Sequence, residues 1–393
     1  VIPYSTQLID ESDAKALNLA LHSPHLTQGK LIKEFESALC QKANAKYAIA
    51  FNSATSALYA LYGAFIYKYF PHIAKSRINP LRQADVQQEI YFVTTPISFV
   101  ATTNMMLVWG ITPIFCDVKD DGNIDEKALV KILATHPKRE YIKAIVSVDY
   151  AGKSVEYEAL QNLAKEHNLL LFADSSHAFG GSYHNKPIGS LANASVFSFH
   201  ALKPITTAEG GALVTDDEEL AHYARLLLSH GVEKKRLWNY DCLLAGMNFR
   251  LSELGAALGL SQLKKLESFI ESRHKIARFY DGFFANNPHF GTIAIAESIQ
   301  STHHLYPILL YPHLWCKKEQ IFESMQEQGL GVQVHYKPIY QFSLYRGIFG
   351  EVRCENAEKF YLAEISIPCH QGLSLKEAEN IAKIVTQICE SYM

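Results

Sequence analysis

The sequence predicts an α/β protein: a large, mainly parallel sheet domain followed by a smaller α+β C-terminal domain. Three observations carry that expectation. Between Ala48 and about Val214, short β-branched or aromatic runs alternate with helical patterns, which is how a parallel sheet wrapped by helices reads in sequence. After Asp216 the pattern turns to long helices, and beyond Pro288 to a mixed region of strands and helices. The chain has 393 residues. At about 150 residues per domain that length suits two or three domains.

Seven runs read as strands: Tyr47 to Phe51, Ile90 to Thr94, Thr112 to Asp117, Tyr141 to Val148, Leu169 to Ala173, Ser195 to Phe199 and Ala212 to Val214. Between them, Thr55 to Ile66, Phe99 to Trp109, Glu126 to Ala134 and Glu158 to His167 read as helices. Helices are then expected over Asp217 to His230 and, as one long connecting element, over Ser252 to Phe284, where Leu254, Leu258, Leu263 and Leu266 recur at helical spacing. Strand-like Thr302 to Leu310 and Gly331 to Tyr336 flank a helix at Lys317 to Gln328, and an amphipathic helix closes the chain at Leu375 to Tyr392. The expected division falls between 1–265 and 266–393. Lys68 to Gln88 is mixed and basic and reads as an excursion between the first helix and the second strand.

Composition narrows the function classes. Lys plus Arg number 37 against 40 Asp plus Glu, so no basic footprint for nucleic acid or an anionic membrane is expected. The densest apolar stretch, Ala57 to Phe70, contains Lys68 and is shorter than the ~20 residues of a bilayer span. The seven cysteines form no CxxC pair and read as thiols in a reducing cytoplasm, and no leader pattern marks export. No metal is expected, since HExxH is absent and His303 and His304, adjacent on a strand, cannot aim at one ion.

In open parallel sheets, ligands bind beyond the carboxyl ends of the strands. Three such ends carry unusual polar groups. After the first strand, Asn52-Ser53-Ala54-Thr55-Ser56 opens a helix whose free N–H groups and positive dipole end suit a phosphate, although the run also suits plain N-capping. After the fifth, Asp174 sits at the tip of an apolar strand, where a carboxylate needs a cation or strong donors unless it merely caps a helix. After the sixth, Lys203-Pro204 leads to Gly210-Gly211 through a constrained loop, and a lysine held in a partly dry cleft is an imine-forming nucleophile. An anion cradle, a carboxylate and an amine match the phosphate, pyridine nitrogen and aldehyde of pyridoxal 5'-phosphate.

The segment SVFSFHALKPITTAEGGALV resembles the lysine loop of the fold-type-I aminotransferases of the DegT/DnrJ sugar-aminotransferase family. LTQGKLIKEFESAL, FNSATSALYAL, TTPISFVATTNM, FADSSHAFGGSY, GMNFRLSELGAALGLSQL, HLYPI and VQVHYKPIY follow in the family's order, so the resemblance spans nearly the whole chain. TTPISFVAT, DGNIDE and IVSVDYAGKSVE look like the branch that aminates C4 of UDP-sugars for pseudaminic acid.

The resemblance implies that Lys203 carries the cofactor and moves the proton, that Asp174 pairs with the pyridinium, and that Thr55, Ser56 and Ser198 hold the phosphate. It implies that Phe99 stacks on the ring and that His177, where many relatives carry Gln, lies near the ring's phenolic oxygen. Asn248 would reach the phosphate of a neighbouring subunit, which implies a homodimer with shared active sites. Lys30, Arg250, His335 and Tyr336 would meet the substrate, a UDP-linked 4-keto-6-deoxy-N-acetylhexosamine that receives its amino group from L-glutamate. The same residues would serve an aminotransferase for another nucleotide-linked keto sugar, or a cofactor-binding regulator without turnover. Other nucleotide enzymes fit poorly: Ser147 stands where a P-loop before Gly152-Lys153-Ser154 needs its first glycine, and Gly329-Leu330-Gly331 lacks a third.

Overall fold

The computed structural model describes residues 1–78 and 89–392. All seven expected strands form, as β1 (Tyr47–Phe51), β2 (Tyr91–Thr94), β3 (Thr112–Phe115), β4 (Ile142–Val148), β5 (Leu170–Asp174), β6 (Ala194–Ser198) and β7 (Gly211–Thr215). They make one sheet in the order β1-β7-β6-β5-β4-β2-β3. Only β7 runs against its neighbours, pairing antiparallel with β1 and β6, while the other pairs are parallel. The central strands are buried along nearly their whole length, because helices cover both faces. One layer of core gathers Phe35, Leu39, Leu160 and Phe197, and the other Leu58, Leu61, Phe92 and Leu227.

A three-stranded antiparallel sheet follows, β8 (Phe290–Thr292), β9 (Tyr306–Leu310) and β10 (Glu364–Ile367), with β9 central. Helices Leu266–Phe283, Lys318–Glu327 and Leu375–Ser391 pack around it through Tyr280, Ile321, Met325, Ile381 and Val385. The last helix begins with a capping box in which Ser374 and Glu377 satisfy each other's backbone N–H groups.

Three expectations change. The long helix of 252–284 is two helices, Glu253–Leu263 and Leu266–Phe283, interrupted at Lys264 and Lys265, where the Lys265 amide bonds three residues back to the Gln262 carbonyl at 2.9 Å. The first is buried nearly all round and the second on one face, and at the junction Lys265 turns to meet Asp13 at 2.6 Å and Asp10 at 3.0 Å. The strand expected from Thr302 starts only at Tyr306, because the Thr302 and Leu305 amides are spent on the carbonyls of Gly152 and Ala151 beyond β4. Gly331 to Tyr336 is not a strand: it makes one bridge, Gln333 to Ser366, and the His335 amide goes to the Glu364 carboxylate at 2.7 Å. Of the expected excursion over 68–88, Pro71–Ile78 is helical with Ile73 and Ala74 buried, and 79–88 lie outside the described residues.

Candidate active site

Topology brings the three polar strand ends together. Gly211, the first residue of β7, lies in register with Phe51 at the end of β1 and Ser198 at the end of β6. The anion turn and the lysine loop therefore flank one glycine. A Cβ at Gly211 would stand 2.4 Å from the Ala54 nitrogen and 2.6 Å from the Ser53 carbonyl carbon, so only glycine lets these backbones approach so closely. One strand beyond β6, Asp174 ends β5 opposite Val196 and Val148. Between these ends lies a cavity of about 440 Å³.

At the anion turn, Ser53 caps the helix Ala54–Tyr69 by accepting the Ser56 amide at 3.1 Å. Ser53, Thr55 and Ser198 line the cavity. Ser56 does not: its hydroxyl donates to Asn52 Oδ1 at 2.7 Å.

Asp174 is 6% exposed. Thr102 Oγ1 donates to its Oδ2 at 2.6 Å, and the Ser176 hydroxyl and amide donate to Oδ1 at 2.5 and 3.2 Å. Among the described residues no cation reaches ion-pair distance, so the carboxylate is oriented by neutral donors and faces the cavity without a charged partner.

Lys203 enters from the opposite wall, its amide bonded to the His200 carbonyl at 2.9 Å and its Nζ 3.1 Å from His304 Nε2. Burial, with a smaller push from the Arg273 charge and against the pull of Asp174, brings its amine down to about 7. Four histidines line the cavity: His177, His200, His304 and His335. Burial, reinforced by the charge on Lys203, holds His177 and His304 well below the ordinary histidine range and His335 down to about 3, so these three are neutral at pH 7. His177 Nε2 pairs with the Tyr336 hydroxyl at 3.1 Å, while the buried Nδ1 atoms of His177 and His304 have no partner.

Phe99, 60% exposed, lies at the mouth with its ring centre 6.4 Å from that of Tyr336. His335 and Tyr336 line the cavity. Tyr336 is carried there by a buried support: Tyr150 donates to the His335 carbonyl at 2.6 Å, and Ser366 meets His335 Nδ1 at 2.9 Å. Lys30, Asn248 and Arg250 do not line it. Lys30 is exposed and paired with Glu34 at 2.7 Å, and Arg250 donates to Ser229 at 2.8 Å. Asn248 is exposed beside the anion turn, where Asn52 donates its amide to the neighbouring Phe249 carbonyl at 2.8 Å. Thr102, Ser176 and His304 were not anticipated. His304 left no signal in the sequence, because its aim is set by the turn of 302–305 whose amides bond to the carbonyls of Gly152 and Ala151. Among the described residues no group of His, Cys, Asp and Glu could hold a metal, and no helix is long and apolar enough to cross a membrane.

Known proteins resemble this chain over nearly its whole length. The UDP-4-amino-4,6-dideoxy-N-acetyl-beta-L-altrosamine transaminase of Campylobacter jejuni is 47% identical over 390 residues, covering 99% of this chain and 98% of that one. The solved structure of Helicobacter pylori PseC, an aminotransferase of pseudaminic acid biosynthesis, superimposes with a TM-score of 0.91 at 47% identity, covering 99% of each chain. A putative sugar aminotransferase of Streptococcus pneumoniae, solved in its PMP form, gives a TM-score of 0.88 at 26% identity over all of both chains, and a PLP form of it is also known. With the DegT/DnrJ/EryC1/StrS aminotransferase profile matching residues 7–386, around a lysine, a carboxylate and an anion turn at one sheet edge, the chain belongs to that family.

Proposed function

We propose that this chain is a pyridoxal-phosphate enzyme that moves the amino group of L-glutamate to C4 of a UDP-linked 4-keto-6-deoxy-N-acetylhexosamine, on the route to pseudaminic acid. The observation that carries the reading is the buried amine of Lys203, brought down to about 7, in one cavity with a carboxylate that, among the described residues, has no cation at ion-pair distance. The printed names of the 47%-identical relatives support the choice of sugar. The choice of L-glutamate as donor rests on the likeness of the cofactor loops.

The residues present fit the cofactor. Asp174 needs a cationic partner, the turn at Ser53 to Thr55 offers helix N–H groups and hydroxyls, and the unpartnered His177 Nδ1 offers a polar contact. Bound pyridoxal phosphate would supply an aldehyde for amine exchange and a protonated pyridine ring to accept the electron pair of the carbon losing its proton. With it bound, Lys203 would offer the lone pair of its unprotonated amine as nucleophile and as the base that moves a proton. Asp174, fixed by Thr102 and Ser176, would favour the protonated ring nitrogen. Ser53, Thr55 and Ser198 would hold the phosphate, and Phe99 would meet the ring. His335 and Tyr336 bound the substrate end.

Lys30, Asn248 and Arg250 serve the reaction, in this reading, across a homodimer, with Asn248 reaching the partner's phosphate. The exposed hairpin Val232–Arg236 and Asn239–Cys242, tipped by Leu237 and Trp238, supports it, since an isolated two-stranded hairpin is marginal in water. We divide the chain at 265/266, at the break between the two helices, although Leu266 and Phe269 still pack on the large core. Seven unpaired thiols support a reducing cytoplasm as its location.

The test loads the protein with pyridoxal phosphate, converts it with L-glutamate, and offers two acceptors in turn: the UDP-4-keto sugar, and keto acids other than 2-oxoglutarate. The sugar is expected to restore the starting visible spectrum. Restoration by the keto acids alone ends the sugar reading, and restoration only by a sugar of other configuration changes the pathway alone.

A further inference from the structure

Arg273, on the helix Leu266–Phe283, is 0% exposed, and among the described residues no carboxylate bonds to it. Its Nε donates to Gln371 Oε1 at 3.0 Å. One terminal nitrogen donates to the carbonyls of Cys369, His303 and His304 at 2.7, 3.1 and 3.2 Å, and the other to Ser5 Oγ at 3.3 Å. A guanidinium does not shed its charge, so a cation is buried here on neutral acceptors alone.

Two of its arms end at Lys203. Ser5 Oγ, which receives from Arg273, donates to the carbonyl of Leu202 at 2.8 Å, one residue before the lysine. His304, whose carbonyl Arg273 holds, places Nε2 3.1 Å from the lysine Nζ. The backbone that carries the amine and the ring that meets it are both tied to one planar fork from another part of the chain.

We propose that Arg273 is a positioning residue for Lys203, fixing the lysine loop through Ser5 and the facing imidazole through the His303–His304 backbone. Its charge also disfavours the ammonium form of Lys203, opposing Asp174. The other titratable groups facing the amine are His177, His304, His335, Tyr336 and Tyr4, and His200 and Glu209 line the same cavity. The inference rests on Lys203 being the cofactor-bearing amine, but its test needs no sugar and no turnover.

The experiment uses cofactor-free protein and two readouts: the pH midpoint of Lys203 methylation by formaldehyde and cyanoborohydride, read by peptide mass spectrometry, and the rate at which added pyridoxal phosphate is captured. Arg273→Met removes the charge, so the midpoint should move up by about one unit. Arg273→Lys keeps the charge and loses the fork, so the midpoint should hold while capture slows about tenfold. Ser5→Ala cuts one arm and should slow capture about threefold with an unchanged midpoint and melting temperature. If Arg273→Met fails to fold, the other two decide: slowed capture in either at a wild-type melting temperature supports the proposal. A wild-type capture rate in both overturns it, as does a folded Arg273→Met with wild-type midpoint and capture.

Discussion

Thr102 Oγ1 stands 2.6 Å from Asp174 Oδ2 and 2.8 Å from Ser98 Oγ, so a chain of hydroxyls from one helix end orients the carboxylate at the tip of β5. A short bond to a charged acceptor contributes about 1.5–3 kcal/mol. Thr102→Val, similar in volume, should therefore lower turnover by roughly tenfold or more while the protein still binds cofactor. Asp174→Asn should lower it by about 10²–10³, because the charge itself is lost. Steady-state rates on cofactor-saturated protein measure both, and near-normal turnover in Asp174→Asn would remove this carboxylate from the mechanism.

Lys203 makes a pH prediction whose sign follows from its environment. An amine brought from 10.5 to about 7 is nucleophilic once pH exceeds that value, so capture of pyridoxal phosphate should rise with pH through about 7 and then level. Between about 7 and 10.5 the unfolded chain binds a proton here that the folded chain lacks, so this group adds stability to cofactor-free protein as pH rises across that window. Lys203→Ala should lose the borohydride-fixed link to the cofactor. A capture midpoint near 10, or label on a different lysine, contradicts the assignment.

Gly211→Ala tests the contact between β7 and the anion turn. The added methyl meets backbone atoms of Ser53 and Ala54 rather than a flexible side chain, so the turn must move. Overpacking of this kind costs about 1–3 kcal/mol. We expect a lower melting temperature together with weaker pyridoxal-phosphate binding, by calorimetry and titration. Unchanged affinity would separate the turn from the phosphate site.

What was legible in the sequence is what periodicity and strand ends encode. The runs that became β1 to β5 alternate with helices, so a mainly parallel sheet and the strand-end edge that gathers Asp174, Thr55 and Lys203 follow from general rules of such sheets, whereas the antiparallel pairing of β7 with β1 and β6 does not. Features set by distant contacts were not legible. The strand expected at Thr302 is shortened by amides bonded to the loop after β4, and that detour is what aims His304 at Lys203. Ser56 is a phosphate ligand only by what the resemblance implies, yet its hydroxyl is bonded to Asn52. Lys30 and Arg250 look like anion binders in any sequence, and within one chain they spend their charge or donors on Glu34 and Ser229.

Those outlying residues lead to the homodimer prediction. Asn248 is exposed on a segment that runs beside the anion turn but does not line its own chain's cavity. The nearby hairpin exposes Leu237, Trp238 and Tyr240 at 78%, 84% and 68%, apolar surface that a partner would cover. If Asn248 serves the partner's phosphate, a dimer of one Lys203→Ala and one Asn248→Ala chain has one site carrying both defects and one carrying neither. Mixing the two weak variants after mild dissociation should then restore about a quarter of wild-type activity per subunit, since half of randomly mixed dimers are mixed and each has one working site. Trp238→Asp should weaken the dimer in sedimentation and lower activity at dilute protein. Activity that stays at the sum of the two separate variants, with exchange verified by mass, would place Asn248 in its own subunit's site, and a fully active monomer would end the shared-site reading.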